Sequence, residues 1–391
     1  MLSNRQIFLK HIAQTSETPL MLEIERASGV YMYGADQKKY IDLISGIGVS
    51  NIGHCHPRVI KAIQEQSEKN MHLMVYGEFI QSPQTELAKR LVQTLPEPLE
   101  SVYFVNSGTE ATEGALKLAK RYTGRREIIS CYNSYHGSSH GALSVMGNEF
   151  FKQSFRPLLP GIKHIEYNFI EDLDQITERT ACVIIETIQG EAGVRIASKE
   201  YMQALRAKCS STGTLLILDE IQCGFGRTGT FWAFEEYEII PDILLTAKGM
   251  GGGMPIGAFI SSREIMNSFT NNPVLGHLTT FGGHPVNCAA AIACMDVIAD
   301  EQLVKEVSKK EAILKTYLKH AGIKEIRSKG LMMAVEFDSY STVKKIIDQA
   351  IQKGIVTDWF LFCDNSMRIA PPLIITEDQI IEACEIISSC N

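Results

Sequence analysis

An acidic residue and a basic residue each follow an apolar stretch in the middle of the chain. Asp219 comes directly after the predicted strand Thr214 to Leu218, and Lys248 comes directly after the predicted strand Asp242 to Ala247. Because the carboxyl ends of parallel strands form the rim of a ligand crevice, we expect both side chains to face one site. A lysine with a perturbed pKa can form a Schiff base, and a carboxylate opposite it can hold a pyridinium nitrogen protonated.

A third stretch could hold an anionic group at the same site. The strand VYFV runs into a predicted helix through Ser107, Gly108 and Thr109. Backbone N–H groups at a helix N-terminus, together with two hydroxyls, form an anion-binding cup. Taken alone, this pattern favours an ordinary helix cap. Beside Asp219 and Lys248, it predicts a phosphate site and therefore pyridoxal phosphate chemistry.

Further polar residues follow other predicted strands. Tyr135 and His136 come after EIISC, where an aromatic ring could stack on a flat cofactor, although taken alone this stretch favours a plain polar loop. Glu186 and Glu191 follow ACVII, where single acids are usually solvated or capping residues. Arg368 stands in an apolar strand, and a buried arginine needs either an acidic protein partner or a substrate carboxylate.

Composition excludes several classes of protein. The 391 residues carry a formal net charge of -7, which argues against a nucleic-acid partner. There is no apolar run of about 18 residues, so we predict no membrane span, and MLSNRQIFLKHIAQTSETPL lacks the features of a secretory signal. The 10 cysteines are scattered without a C-x-x-C pair, which suits reduced thiols in the cytoplasm. The triplet His54-Cys55-His56 better suits a helix start before Pro57 than a metal site, and we predict no metal.

The order of elements predicts how these residues are positioned. From Ser101 onward strands and helices alternate, which is typical of an α/β fold with a mostly parallel sheet flanked by helices. After Pro285 helices dominate, and the later strands indicate a smaller α+β domain that the N-terminal strands join. We expect a large domain at 50–285 and a small domain built from 1–49 and 286–391. The glycines of GMGGGMPIG precede a strand-like IGAFI and not a helix, which argues against a dinucleotide site.

These stretches together resemble one family, the class III aminotransferases of fold type I (ornithine, acetylornithine and 4-aminobutyrate type). The resemblance covers nearly the whole chain, and the DE-x-Q-x-GFGRTG element with the lysine stretch is its most specific part. It rests on SGIGVSNIGHCHP, NSGTEATEGALKLAKRYTG, YHGSSHGALS, ETIQGEAGV, LLILDEIQCGFGRTG, PDILLTAKGMGGGMPIGA, TTFGGHP and MRIAPPLIIT.

The resemblance implies a role for each site residue. Lys248 would be the Schiff-base lysine and proton shuttle, and Asp219 would keep the pyridine nitrogen of pyridoxal 5'-phosphate protonated. Arg368 would take a carboxylate of glutamate or 2-oxoglutarate, and Glu191 would pair with it when the other substrate is bound. The other implied cofactor residues are Ser107, Gly108 and Thr109 at the phosphate, Tyr135 and Ile221 on the ring faces, Gln222 at the ring hydroxyl, His136, Glu186, and Thr280 from the neighbouring subunit. The last contact implies a homodimer with shared active sites.

Two positions depart from the family pattern. Ser138 stands where family members typically carry an arginine that binds a substrate carboxylate, and Ile47 stands where ornithine enzymes place a tyrosine. Without that arginine, carboxylate-bearing donors should bind poorly unless another cation substitutes. We predict a ping-pong aminotransferase of amino-acid metabolism that moves an amino group from an ω-amino compound to a 2-oxo acid. The alternative is another enzyme of this fold, such as an aminomutase, a racemase or a decarboxylating transaminase.

Overall fold

The computed structural model describes residues 2–74 and 76–391. The strands are β1 (Ile24–Ser28), β2 (Tyr31–Gly34), β3 (Lys39–Asp42), β4 (Ser101–Val105), β5 (Glu127–Cys131), β6 (Ile162–Ile165), β7 (Thr180–Glu186), β8 (Ile188–Gln189), β9 (Arg195–Ile196), β10 (Leu215–Asp219), β11 (Ile243–Thr246), β12 (Gly257–Ser261), β13 (Glu325–Lys329), β14 (Met332–Glu336), β15 (Ile355–Val356), β16 (Trp359–Phe360) and β17 (Cys363–Ile369). The helices are α1 (Asn4–His11), α2 (Ser45–Gly48), α3 (Pro57–Lys69), α4 (Ser82–Gln93), α5 (Gly108–Thr123), α6 (His140–Val145), α7 (Lys199–Thr212), α8 (Arg263–Met266), α9 (Pro285–Asp300), α10 (Leu303–Tyr317), α11 (Tyr340–Gln352) and α12 (Glu377–Ser388).

A seven-stranded sheet in the order β4-β12-β11-β10-β7-β5-β6 forms the centre of the fold. Strand β12 runs antiparallel to its two neighbours, and the other adjacent pairs are parallel. Side chains alternate between the two faces, so Cys182 and Ile184 of β7 pack in one cluster with α5, while Val183 and Ile185 pack in another with α7. Covering both faces explains why β7, β10 and β11 are buried along their whole length. The α/β prediction with a mostly parallel sheet is confirmed.

The register of the central strands sets where the polar residues emerge. Asp219, the last residue of β10, lies opposite Glu186, the last residue of β7, and opposite Leu245 of β11. Strand β11 then ends at Thr246, two residues before Lys248. The acid and the lysine therefore leave neighbouring parallel strands at the same edge, as the sequence predicted.

Two four-stranded sheets lie outside the central one, in the orders β1-β2-β3-β15 and β13-β14-β17-β16. The N-terminal β3 pairs in parallel with β15 from the C-terminal part, with Ile41 opposite Ile355 and Asp42 opposite Val356. Helix α9 packs against α3 and α4. The first strands and the last third of the chain thus share one sheet.

Other elements are marked only weakly by the sequence. Helix α4 begins at Ser82, with Gln81 at the N-cap and Pro83 in the first turn. The segment around Phe150 forms a pair of short 3-10 turns, Glu149–Phe151 and Gln153–Phe155. Strand β1 was not predicted, since its sequence IERAS lacks an apolar alternation. Within residues 2–74 and 76–391, no helix is long and apolar enough to cross a membrane.

Candidate active site

A cavity of about 510 Å³ opens at the carboxyl ends of β7, β10 and β11. Its lining includes most of the residues predicted from the sequence: Ser107, Gly108, Thr109, Tyr135, His136, Ser138, Glu186, Glu191, Asp219, Ile221, Gln222 and Lys248. Its apolar part, which the sequence did not indicate, includes Val49, Met254, Pro255 and Ile256. Segments at the ends of five strands, β4, β5, β7, β10 and β11, therefore converge on one chamber.

Asp219 is held in place by two hydrogen bonds. One carboxylate oxygen accepts the backbone N–H of Ile221 at 2.9 Å, and the other lies 2.7 Å from Nδ1 of His136. Both side chains are buried, and Nε2 of His136 has no partner among the described residues. An ionised carboxylate only accepts hydrogen bonds, so the imidazole donates through Nδ1. His136 thus fixes the orientation of the acid, and stacking of the neighbouring Tyr135 ring on a cofactor stays a prediction.

Glu186 joins two loops of the cavity wall. Its carboxylate oxygens accept the backbone N–H groups of Tyr135 and Gly190, each at 2.9 Å. Burial raises the pKa of Glu186 to about 7; His136 opposes this rise and the nearby Asp219 adds to it. Glu186 thereby ties the loop that carries Tyr135 and His136 to the turn that carries Glu191.

Lys248 opens the 3-10 helix Lys248–Gly251 directly after β11 and Ala247. Its backbone has a φ of 41°, a left-handed conformation that a non-glycine residue adopts only when its surroundings impose it. The side chain is partly buried and lines the cavity. Burial lowers the pKa of Lys248, Glu191 raises it and Arg368 lowers it further. A lowered pKa leaves more of the amine neutral, which is the form that attacks a carbonyl carbon.

The N-terminus of α5 forms the cup predicted for a phosphate. Ser107 is the N-cap, and its hydroxyl accepts the N–H of Glu110 at 3.3 Å, so the simple capping interpretation is also correct. The first amides of a helix have no intrahelical partner and are free to bind an anion. A Cβ at Gly108 would lie 2.9 Å from the Ile221 side chain, so glycine lets Ile221 pack against the cup. Thr109 is fixed by Ser139, whose hydroxyl lies 2.6 Å from its own.

Arg368 and Glu191 form a buried bidentate ion pair beside the cavity. Both guanidinium NH groups reach the two carboxylate oxygens at 2.9 Å. Burial acts to raise the pKa of Glu191, but Arg368 lowers it to about 2. Gln222 also donates to this carboxylate at 3.3 Å, and it borders a small recess that Ile47 and Arg368 line.

A second acid on the arginine was not predicted from the sequence. Asp358 accepts a hydrogen bond from Nε of Arg368 at 2.9 Å. The two residues are ten positions apart in the chain and meet because β16 folds back on β17. No motif marks Asp358, so only the strand pairing reveals the contact.

Ser138 and Thr280 lie at exposed positions. The Ser138 hydroxyl is 3.2 Å from the hydroxyl of Tyr135 at the edge of the cavity. Thr280 is exposed and is not part of the cavity lining described for one protomer. Its neighbour Thr279 contacts Asn106, just before the cup, through a hydrogen bond of 3.2 Å.

The residues of this cavity fit pyridoxal 5'-phosphate. The cup at α5 offers amides and hydroxyls to a phosphate, and Asp219 offers a fixed carboxylate to a ring nitrogen. Lys248 offers a partly buried amine to an aldehyde carbon, with its pKa lowered. Ile221 packs against Gly108 and supplies an apolar face for the ring.

Comparison with known proteins agrees with this geometry. Residues 12–390 match the family Aminotransferase class-III. The chain is 39% identical over 389 residues to the acetylornithine aminotransferase of Methanocaldococcus jannaschii, covering 95% of this chain and 93% of that protein. It is 38% identical over 372 residues to the acetylornithine aminotransferase of Clostridium acetobutylicum, covering 92% and 93%.

Solved structures show the same fold. The ornithine aminotransferase of Toxoplasma gondii superposes with a TM-score of 0.90 at 29% identity, over 99% of this chain and 94% of that one. The adenosylmethionine-8-amino-7-oxononanoate aminotransferase of Methanocaldococcus jannaschii superposes with a TM-score of 0.91 at 29% identity, over 98% and 97%. The chain belongs to the class III aminotransferases, and it is a pyridoxal-phosphate-dependent transaminase.

Proposed function

We propose that this transaminase takes the amino group of an ω-amino compound and passes it to 2-oxoglutarate, giving glutamate, in two successive half-reactions. Pyridoxal phosphate, when bound, supplies the electron sink that makes loss of a proton from the substrate carbon feasible. The observation that carries the proposal is the convergence of Lys248, Asp219 and Glu191 on one chamber, with Arg368 paired to Glu191 beside it.

Some residues of the chamber bind the cofactor, and Lys248 transfers the proton. The cup at Ser107, Gly108 and Thr109 would hold the phosphate, and Asp219 would keep the ring nitrogen protonated. The amine of Lys248 would hold the aldehyde carbon of the cofactor and, when free, would take a proton from the substrate carbon next to nitrogen. Its lowered pKa suits this base role near neutral pH.

Arg368 and Glu191 let one chamber receive two kinds of substrate. With Glu191 bound, the guanidinium is neutralised, and an amine without a carboxylate at that end can enter. When a 2-oxo acid arrives, its carboxylate replaces that of Glu191 on the same two NH groups. The replacement is possible because both carboxylates bind a guanidinium in the same bidentate geometry.

A donor panel with an acceptor balance tests the proposal. Holoenzyme is mixed with 2-oxoglutarate and, in turn, with primary ω-amines, diamines and ω-amino acids. The amount of glutamate formed is then compared with the amount of donor consumed. We expect one glutamate for each donor. Product formation that needs no 2-oxo acid would instead support the alternative, an aminomutase, a racemase or a decarboxylating enzyme.

Because of Ser138, we expect this enzyme to prefer a different amino donor from its relatives. We propose that it disfavours donors whose far end is a carboxylate, because a hydroxyl cannot replace a bidentate guanidinium. Ser138→Arg is expected to raise kcat/KM for N-acetylornithine about tenfold or more, the usual effect of one charge-assisted pair. Steady-state kinetics with a carboxylate-free amine alongside checks the change.

The matched control is Ser138→Ala, which removes the hydroxyl without adding charge. Its kcat/KM for N-acetylornithine should stay close to that of the wild type. If the arginine variant gains nothing on this donor, Ser138 does not select the donor.

A homodimer with shared active sites is supported by an exposed apolar patch around Thr280. The segments before α4 and before α9 lie together here, since the Tyr76 N–H donates to the Thr279 carbonyl at 3.2 Å and the rings of His72 and Phe281 are 5.0 Å apart. Exposed apolar side chains of both segments form the patch: Met71, Leu73, Phe79, Ile80, Val274, Leu275, Leu278 and Phe281. Exposed apolar side chains gathered on neighbouring segments are typical of a protein interface. A partner seated on it would bring its own Thr280 to the phosphate cup.

Phe281→Asp tests the interface. Burying a charge in an apolar contact is costly, so the variant is expected to sediment mainly as a monomer and to lose most of its activity. Phe155→Asp is the control, since Phe155 is about as exposed but belongs to the turn Gln153–Phe155, which is not one of the two patch segments. An unchanged dimer for Phe281→Asp, seen by analytical ultracentrifugation, would place the interface elsewhere.

We further propose that 50–285 forms the cofactor domain and that 1–49 with 286–391 forms the small domain. The shared sheet of β3 and β15 supports this division. We also propose action in the cytoplasm, because the ten cysteines are all free thiols and most are buried.

A further inference from the structure

Arg368 carries two carboxylates on different edges of its guanidinium. Its two terminal NH groups bind Glu191, and its Nε binds Asp358 at 2.9 Å. The face of the guanidinium lies over the Phe360 ring, 4.4 Å from the centroid. The side chain of Arg368 is only 4% exposed, so each of these contacts constrains it.

The two acids differ in how they are attached. Asp358 is tied to the arginine by the backbone as well, because its carbonyl accepts the Arg368 N–H at 2.8 Å where β16 folds on β17. Glu191 lies on a separate turn, in which the Gly193 N–H donates to the Gly190 carbonyl at 3.0 Å. It also accepts two N–H groups of the turn after β16, that of Phe362 at its carbonyl at 3.0 Å and that of Leu361 at its carboxylate at 3.1 Å. With its backbone held, the Glu191 carboxylate can leave the guanidinium only by rotation of the side chain, whereas the backbone bond keeps Asp358 beside the arginine.

We propose that Asp358 is a positioning residue that holds the Arg368 guanidinium in one orientation while its terminal NH groups exchange Glu191 for the carboxylate of a 2-oxo acid. This inference rests on the proposed function of the Glu191–Arg368 pair. An arginine released by its main partner would otherwise be free to rotate, and misplacement by about 1 Å is enough to weaken a substrate contact strongly. Asp358 fixes the edge that the substrate does not use.

Two substitutions separate positioning from charge. Asp358→Ala removes the acceptor, whereas Asp358→Asn keeps an oxygen that can accept from Nε but removes the negative charge. For the alanine variant we expect the Kd for glutarate, an unreactive dicarboxylate, and the Michaelis constant for the acceptor 2-oxoglutarate to rise about tenfold, as for loss of one charge-assisted contact. For the asparagine variant we expect both values within about threefold of the wild type.

The amine half-reaction is the internal control. It is followed by the absorbance change of the holoenzyme in a single turnover with a primary amine that has no carboxylate. Glu191 stays on Arg368 in that step, so the rate should be unchanged in both Asp358 variants. A thermal unfolding scan and the cofactor absorbance establish that each variant is folded and loaded.

Arg368→Ala distinguishes failure of this inference from failure of the proposed function. If Arg368→Ala leaves glutarate binding unchanged, the role of the ion pair is wrong. If Arg368→Ala weakens binding but Asp358→Ala does not, only the role of Asp358 is wrong. Equal losses in the asparagine and alanine variants, or equal losses in both half-reactions, would also overturn the positioning role.

Discussion

Lys248→Ala is expected to lower kcat by about 10⁴-fold or more, since one residue supplies both the covalent attachment and the proton transfer. The structure motivates this size of effect. Lys248 lines the cavity and has a pKa lowered by burial, and its backbone is held at a φ of 41°. Amine transfer to 2-oxoglutarate measures the loss, and the absorbance of the bound cofactor near the visible edge should change with it.

Lys120→Ala is the matched control for this experiment. Lys120 is also partly buried, but it lies in the last turn of α5, at the end away from the phosphate cup. Its removal should leave turnover and absorbance close to the wild type. A Lys248→Ala enzyme that kept both the band and full turnover would rule out the assigned chemistry.

Asp219→Asn should produce the second largest loss, about 10³-fold in kcat, because an amide cannot keep the ring nitrogen protonated and the electron sink weakens. The substitution preserves the size of the side chain. It also preserves an oxygen for the N–H of Ile221, which Asp219 now accepts at 2.9 Å. The measured loss therefore reports on the charge and on the altered contact with His136, and not on the size of the side chain.

Two further variants accompany this one, Asp219→Glu and His136→Gln. Asp219→Glu keeps the charge at a shifted position and should retain more activity than Asp219→Asn. His136→Gln removes the imidazole that lies 2.7 Å from the carboxylate and should cost less than either, because Ile221 still orients the acid. Wild-type turnover in Asp219→Asn would show that the ring nitrogen is not its partner.

The cofactor chamber was predictable because its residues are marked by position along the chain. Asp219 and Lys248 end apolar runs, and such runs in an alternating pattern become neighbouring parallel strands. Ser107 stands where a strand turns into a helix, and that junction dictates an N-cap. Local sequence thus determined these placements, and the sheet then brought them together.

Contacts between side chains of distant elements were harder to predict from the sequence. The pairing of His136 with Asp219 joins residues 83 positions apart. It depends on how the loop after β5 packs against the end of β10. Asp358 meets Arg368 through a short strand of only two residues, β16, which has no pattern of its own. Such contacts follow from tertiary packing, so no local motif could have indicated them.

The strand ends and the loops of this enzyme differ in how well they tolerate substitution during evolution. Asp219 sits at the end of a fully buried strand, where substitutions that leave a cavity or an unpaired buried group are strongly destabilising. Ser138 is exposed on a loop, where substitutions typically change stability by less than about 0.5 kcal/mol. Mutations at distant, independent sites also combine nearly additively. On the proposed role of Ser138, a lineage can therefore exchange one amine donor for another through substitutions in the loop, while the residues at the strand ends stay unchanged.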